Sequence, residues 1–255
     1  MLVNSNFLLL AATLLLLSSC THYYYAPNTI PTPFLREKGD CTVHAAVGFG
    51  HEYTGSELQA VFSPVRYGAV MGNFFHASGE ANRANTFHDN GQGYLLEGGL
   101  GAYYPLAKTF SASLFAGYGR GNVLNNYADG GLGSPATRTF PSKLYFERLF
   151  LQPSITYRGK VFTLGLGFRL CQLRYIKGEI DLQAPAEEVM AVRGIEAASP
   201  IVLPELVYKM GFYIEPVTLG LHITRSYVPD PALHLNPGNF SFSAAVDIHK
   251  LWKQE

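Results

Sequence analysis

The sequence is poor in charge: Lys+Arg 19 and Asp+Glu 19 make up only 15% of its 255 residues, against about 25% in ordinary soluble domains. The two signs cancel, so no net field draws the chain to nucleic acid or to anionic lipid. Cysteine is scarce as well, at positions 20, 41 and 171. No C-x-x-C or H-x-x-x-H spacing joins these thiols to the 8 histidines, which argues against a metal centre and leaves no cofactor motif. A G-x-S-x-G elbow and an H-E-x-x-H helix are also lacking. The longest apolar run, Phe7 to Leu17, falls well short of the roughly 20 residues a spanning helix needs. What is abundant is glycine, 26 residues, with Tyr 16 and Phe 17. Few charges, many glycines and many aromatics point to strands with a large apolar outer surface.

The run from Phe7 to Leu17 has the length of a signal-peptide core, so it reads as a segment that is removed. Leu17, Ser18, Ser19 and Cys20, which follow it, resemble the lipobox of bacterial lipoproteins. That resemblance implies cleavage before Cys20 and acylation of its thiol. Met1 to Asn6 depart from the usual pattern in carrying no Lys or Arg. An ordinary secretory signal that contains a cysteine is the other reading, and both readings export the chain. The stretch after Cys20 includes "TPFLREKGD", with Pro31 and Pro33 and no periodicity. The expected organisation is a leader over 1–19, a lipidated tether over 20–40 and one β-domain over 41–250.

From Cys41 onward apolar residues alternate with small or polar ones. In "FSASLFAGYG", Phe110, Ala112, Leu114, Ala116 and Tyr118 share one face, opposite Ser111, Ser113, Phe115 and Gly117. Phe162, Leu164, Leu166, Phe168 and Leu170 likewise oppose Thr163, Gly165, Gly167, Arg169 and Cys171. The same reading holds around 217–224 and 240–249. A soluble barrel would carry many Lys and Glu on its second face. Here that face holds Gly, Ser, Thr and isolated charges, which suits a narrow lumen behind an apolar wall.

Strands are expected near 41–50, 56–65, 68–78, 92–105, 109–120, 143–158, 161–176, 200–210, 213–226 and 239–250. The linkers between them alternate in length. Short turns fall around Arg66, at "PLAK", at "RGK" and at "GFYI", and long loops follow the third, fifth, seventh and ninth strands. This is the pattern of an all-β, antiparallel, up-and-down transmembrane barrel of about ten strands, with 8–12 as the range. Its termini would then lie on the periplasmic side, where a lipid on Cys20 would meet the inner leaflet, and the long loops would lie outside. Cys41 opens the first strand while Cys171 is well up the seventh, so free thiols are expected rather than a bridge. Within the loop "PAEEVMAVRG" a short helix is expected, starting at Pro185 and stopping at Gly194.

The segments "ELQAVFSPVRYGAVMGNFF", "EGGLGAYYPLAKTFSASLFAGYGRGNV" and "LFLQPSITYRGKVFTLGLGFRL" resemble uncharacterised outer-membrane β-barrel proteins of Gram-negative bacteria, over roughly residues 56 to 172. The resemblance implies the fold and the outer-membrane lipid around it, and brings no ligand or activity. The residues after Cys20 lack the acidic pair that often marks surface export in such lineages.

The ionisable residues expected to face inward are His44, Glu97, Arg148, Arg169, Glu205, Lys209, His222, Asp247 and His249. Unpaired charges inside a narrow barrel are costly, so pairs such as Glu97 with Arg148 or Arg169 are expected to serve stability. A polar path or small-solute site is the functional alternative. For an enzyme, the best available set is Ser241 or Ser243 beside His222 or His249, without a recognisable motif. The expectation is therefore a non-enzymatic outer-membrane barrel lipoprotein with a structural or interaction role. Its rivals are a narrow channel for small solutes and a soluble, lipid-tethered ligand-binding barrel. The long loops are read as shielding the barrel mouth, with a surface partner as their other role.

Overall fold

The computed structural model describes residues 24–50, 53–83, 87–129 and 138–252. The proposed leader and Cys20 lie outside the described residues. Ten antiparallel strands close into one barrel, each paired with its sequence neighbours, and the first pairs with the last. They are β1 (Cys41–Gly50), β2 (Tyr53–Val65), β3 (Gly68–Arg83), β4 (Phe87–Pro105) and β5 (Phe110–Asp129), then β6 (Arg138–Arg158), β7 (Phe162–Ile180), β8 (Ile201–Ile214), β9 (Val217–Ser226) and β10 (Gly238–Asp247). At the closing seam Phe49 faces Phe240 and Thr42 faces Asp247.

Period-two alternation sets the two faces, because successive side chains leave opposite sides of a strand. On β7 the aromatic and leucine side runs outward, with Leu164 52% and Leu166 43% exposed, while Thr163 and Arg169 are buried at 1%. On β5 Phe110, Leu114 and Tyr118 point out, and Ser111, Ser113 and Phe115 point in. The inner wall of β4 and β5 is notched with glycine so that aromatic rings fit across it. A Cβ on Gly117 would stand 2.3 Å from Phe150, and one on Gly121 would stand 2.6 Å from Phe146.

Several boundaries differ from the sequence expectation. Two of the four long loops, those after the third and fifth strands, are mostly strand: β3 continues to Arg83, β4 starts at Phe87, β5 reaches Asp129 and β6 starts at Arg138. Those extensions, such as "GEANR" and "HDNGQG", lie beyond the apolar wall, so backbone pairing persists there after the hydrophobic alternation has stopped. "GFYI" is not a turn, since β8 runs to Ile214 with Phe212 outward and Tyr213 inward, and the reversal falls at Glu215 and Pro216. The helix α1 (Ala186–Ala198) does not stop at Gly194, because Val192 and Ile195 bury beneath it and carry it a further turn. β10 ends at Asp247 and a short helix α2 (Ile248–Trp252) follows. His249 therefore leaves the lumen-facing set: its Nε2 lies 3.3 Å from Asp40 Oδ1, and Cys41 N donates to its Nδ1 at 3.3 Å.

The largest correction concerns the presumed tether. Tyr24, Tyr25, Asn28, Thr29, Ile30, Thr32 and Leu35 are all buried, inside the barrel rather than in solvent. The segment runs the length of the lumen as a strap. Its start touches the long-loop end and its finish the short-turn end, so the chain before β1 is not confined to the side where β1 begins.

Candidate functional site

The lumen is the place where polar chemistry concentrates, and the strap is its centre. Proline explains how an irregular segment tolerates burial. Pro27, Pro31 and Pro33 contribute no N–H and fix an extended backbone, which Ala26, Ile30 and Thr32 before them share. The strap thus has few donors to satisfy and many carbonyls, and the wall supplies the donors.

At the long-loop end Tyr24 N donates to His234 O at 3.0 Å, and Tyr175 Oη donates to Tyr24 O at 2.9 Å. Tyr24 Oη donates to Glu188 of α1 at 3.0 Å. Tyr25 bridges Leu235, with Asn236 N donating to its carbonyl at 3.0 Å. Lower down, Asn239 Nδ2 donates to Pro27 O at 3.1 Å and Gln59 Nε2 to Thr29 O at 3.1 Å. Gln152 then reaches Pro31 O at 3.1 Å, and Thr156 reaches Thr32 O at 3.0 Å. At the short-turn end Ser111 Oγ donates to Leu35 O at 2.7 Å, and Arg36 Nη1 donates to Ala107 O at 3.0 Å in the β4–β5 turn.

Midway, Asn28 sits between two arginines. Arg148 Nη2 donates to Asn28 Oδ1 at 2.7 Å and Arg169 Nη2 to the same oxygen at 2.9 Å. Arg148 grips Glu97 through Nε at 2.6 Å and through Nη2, and Arg169 Nε holds Glu205 Oε2 at 2.5 Å. Tyr25 Oη donates to Glu205 Oε1 at 2.8 Å and Asn73 Nδ2 donates to Glu97 at 3.0 Å. A third carboxylate, Glu57, accepts from Asn28 Nδ2 at 2.8 Å, Thr29 N at 3.0 Å and Thr29 Oγ1 at 2.6 Å. The strap is therefore the shared partner of two arginines and of three buried glutamates, Glu57, Glu188 and Glu205.

Of the residues singled out in the sequence, Glu97, Arg148, Arg169 and Glu205 converge in this cluster. His44 and His222 meet separately, with Nε2 atoms 3.4 Å apart. Lys209 lines the same small cavity, of about 30 Å³, as these two histidines. That volume suits one water molecule. Asp247 stands at the short-turn end, held by Arg158 at 2.5 Å and Thr42 at 2.9 Å. Glu57, Gln59, Arg158 and the strap's Tyr25 and Asn28 were not anticipated. The signal for Glu57 was present in β2, whose inward side is Gly55, Glu57, Gln59, Val61 and Ser63. The mixed outer face and Pro64 obscured it.

The serine–histidine set is partly real, since His222 Nε2 and Ser243 Oγ are 2.9 Å apart. Yet His222 is 1% exposed and its Nδ1 has no hydrogen-bond partner. A nucleophile–base pair needs a third group on that nitrogen and a route for substrate. Neither is seen among the described residues.

Glycine again makes the room. A Cβ on Gly165 would stand 2.4 Å from Thr32 Oγ1, and one on Gly167 would stand 3.1 Å from Ile30 Cγ2. The small inner face of β7 is the negative of the strap.

No family model and no curated protein matches the chain. Among solved structures it is similar to the KdgM porin, at 7% identity and TM-score 0.35 over 80% of this chain and 98% of that one. It is also similar to the outer membrane protease OmpT from Escherichia coli, at 9% identity and TM-score 0.39 over 81% and 92%. A third likeness is LpxR from Salmonella typhimurium, at 7% identity and TM-score 0.40 over 80% and 99%.

Proposed function

We infer that the protein is an outer-membrane β-barrel lipoprotein, acylated at Cys20, whose lumen is closed by its own strap and whose role is structural or interactive rather than catalytic. The observation that carries the membrane reading is the outer wall. Apolar side chains face outward around it, including Leu58 54%, Leu100 72%, Leu149 54%, Phe212 57% and Phe242 54% exposed. In water such a surface would aggregate. At the short-turn end the band finishes in aromatic pairs: Tyr67 with Tyr104 at 5.8 Å, Phe110 with Tyr157 at 5.1 Å, and Phe162 with Phe212 at 5.1 Å between ring centroids. At the other end a row of charges begins at one level, with Arg120 opposite Glu147 and Glu147 opposite Arg174. From Phe110 to Tyr118 is about 27 Å along the strand, or about 20 Å along the axis at a tilt near 40°, close to the apolar band of roughly 25 Å in outer-membrane barrels. Short turns in the periplasm and long loops outside complete this reading.

The test is fractionation of the Cys20→Ala protein with an alkaline carbonate wash, followed by gel mobility with and without boiling. Retention in the outer membrane with a heat-dependent shift is expected. Protein that washes off would show the barrel to be a soluble, tethered body.

A channel is the second reading, favoured by the polar lumen. With the strap seated, passage requires its displacement, so the wild-type protein is expected not to conduct in planar bilayers. Steady conductance with the strap in place would favour the channel.

A further inference from the structure

We propose that the chain threads its own barrel, so that the residues ahead of Tyr24, with any lipid on Cys20, are displayed at the long-loop face, opposite the C-terminus. This inference rests on the outer-membrane and lipoprotein readings above for the words "outer face" and "lipid". The threading itself rests on the strap alone.

The order of contacts along the strap gives its direction. Tyr24 is held by His234 of the β9–β10 loop, by Glu188 of α1 between β7 and β8, and by Tyr175 in the upper part of β7. All three lie at the long-loop end. Asn28 is held at mid-height between Arg148 and Arg169, and Leu35 and Arg36 meet Ser111 and the β4–β5 turn at the short-turn end. The C-terminal helix α2 also lies at the short-turn end, where His249 contacts Asp40. The two ends of the described chain thus leave from opposite mouths.

Covalent reach then decides where a group on Cys20 can be. Cys20 precedes Tyr24 by four residues, and four residues span at most about 14 Å. The apolar band is roughly 25 Å tall. A lipid on Cys20 cannot reach the inner leaflet while Tyr24 stays seated, but it can reach the outer leaflet over the rim of the mouth. Surface display here needs no sequence tag after Cys20, because the barrel itself carries the terminus across. The seat is specific: the carbonyls of Pro27, Asn28, Thr29, Pro31 and Thr32 each accept from a wall side chain, and Glu57 accepts from the strap's own N–H and side chains.

Three epitope insertions test this in the full chain: one after Thr21, one within 131–137 and one after Glu255. Antibody binding is compared on intact and permeabilised cells, with labelled palmitate incorporation measured in parallel. The expected result is that the first two epitopes are reached on intact cells and the third only after permeabilisation. An epitope after Thr21 that behaves like the one after Glu255 overturns the proposal, whatever the palmitate result. An exposed epitope without palmitate supports threading while removing the lipoprotein reading. If the 131–137 epitope is also hidden on intact cells, the assumed orientation fails. The Ile30→Cys/Gly167→Cys double variant then decides, since a Cβ on Gly167 would stand 3.1 Å from Ile30 Cγ2, which puts the two Cβ atoms within reach of a disulfide, and a cross-link forms only with the strap inside. Absence of that cross-link overturns the proposal.

Discussion

Replacing Arg148 with methionine removes the charge at the centre of the lumen while keeping most of the volume. The guanidinium is 0% exposed and its partner Glu97 1%, so neither group is screened by water. In wild type the guanidinium satisfies both Glu97 oxygens, Tyr25 Oη and Asn28 Oδ1. In Arg148→Met, Tyr25 still donates to Glu205 and Asn28 still accepts from Arg169. Glu97 is left with Asn73 alone. Breaking a buried pair on one side costs about 3–5 kcal/mol, mostly the penalty of the orphaned charge. The folded-to-unfolded ratio should then fall by roughly a hundred- to several-thousandfold. The assay is urea unfolding in lipid vesicles, read by the heat-modifiable gel shift. Adding Glu97→Gln removes the stranded carboxylate, and the double variant should regain most of the loss, because a buried pair replaced on both sides is often close to neutral. A single variant within about 1 kcal/mol of wild type, or a double variant no better than the single, would refute the reasoning, since both outcomes deny that the pair is dry and coupled.

Two further outcomes follow from the strap and the wall. Gly165→Val puts a branched side chain where even a Cβ stands 2.4 Å from Thr32 Oγ1, so the strap should be displaced; planar-bilayer recordings are expected to show conductance absent from wild type, and a silent variant with the strap still protease-protected would count against the seat. Leu166→Arg, in the middle of the outward row of β7, should cost about 2–4 kcal/mol of folding into bilayers, whereas Tyr227→Arg, at a site 74% exposed past the end of β9, should cost almost nothing; equal effects would mean that no apolar band separates the two sites.

The barrel was legible in the sequence because its two faces obey a local rule. Phe162, Leu164 and Leu166 against Thr163, Gly165 and Gly167 need only the period of a strand to be sorted into wall and lumen, and the parity of short and long linkers then orders the strands. The extensions past the band were not legible, since from Arg120 to Asp129 both faces of β5 mix polar residues with apolar ones such as Val123 and Leu124, and the alternation that marks a strand is gone. Glu57 escaped for a related reason: β2 carries both its apolar residues and Pro64 in a pattern that blurs the period.

The sequence by itself determined an antiparallel barrel of about ten strands and the side of most strands that faces the lumen, because these follow from side-chain chemistry repeated every second residue. Only the tertiary structure decided the fate of residues 24–35. A proline-rich segment with no periodicity reads as a tether when nothing around it is known. What makes it a strap is a set of donors from five different strands, β2, β5, β6, β7 and β10, together with the space left by Gly165 and Gly167, and these meet around the segment only once the barrel has closed. Burial of an irregular backbone is a property of the cavity that receives it, and no local pattern in the segment records that cavity.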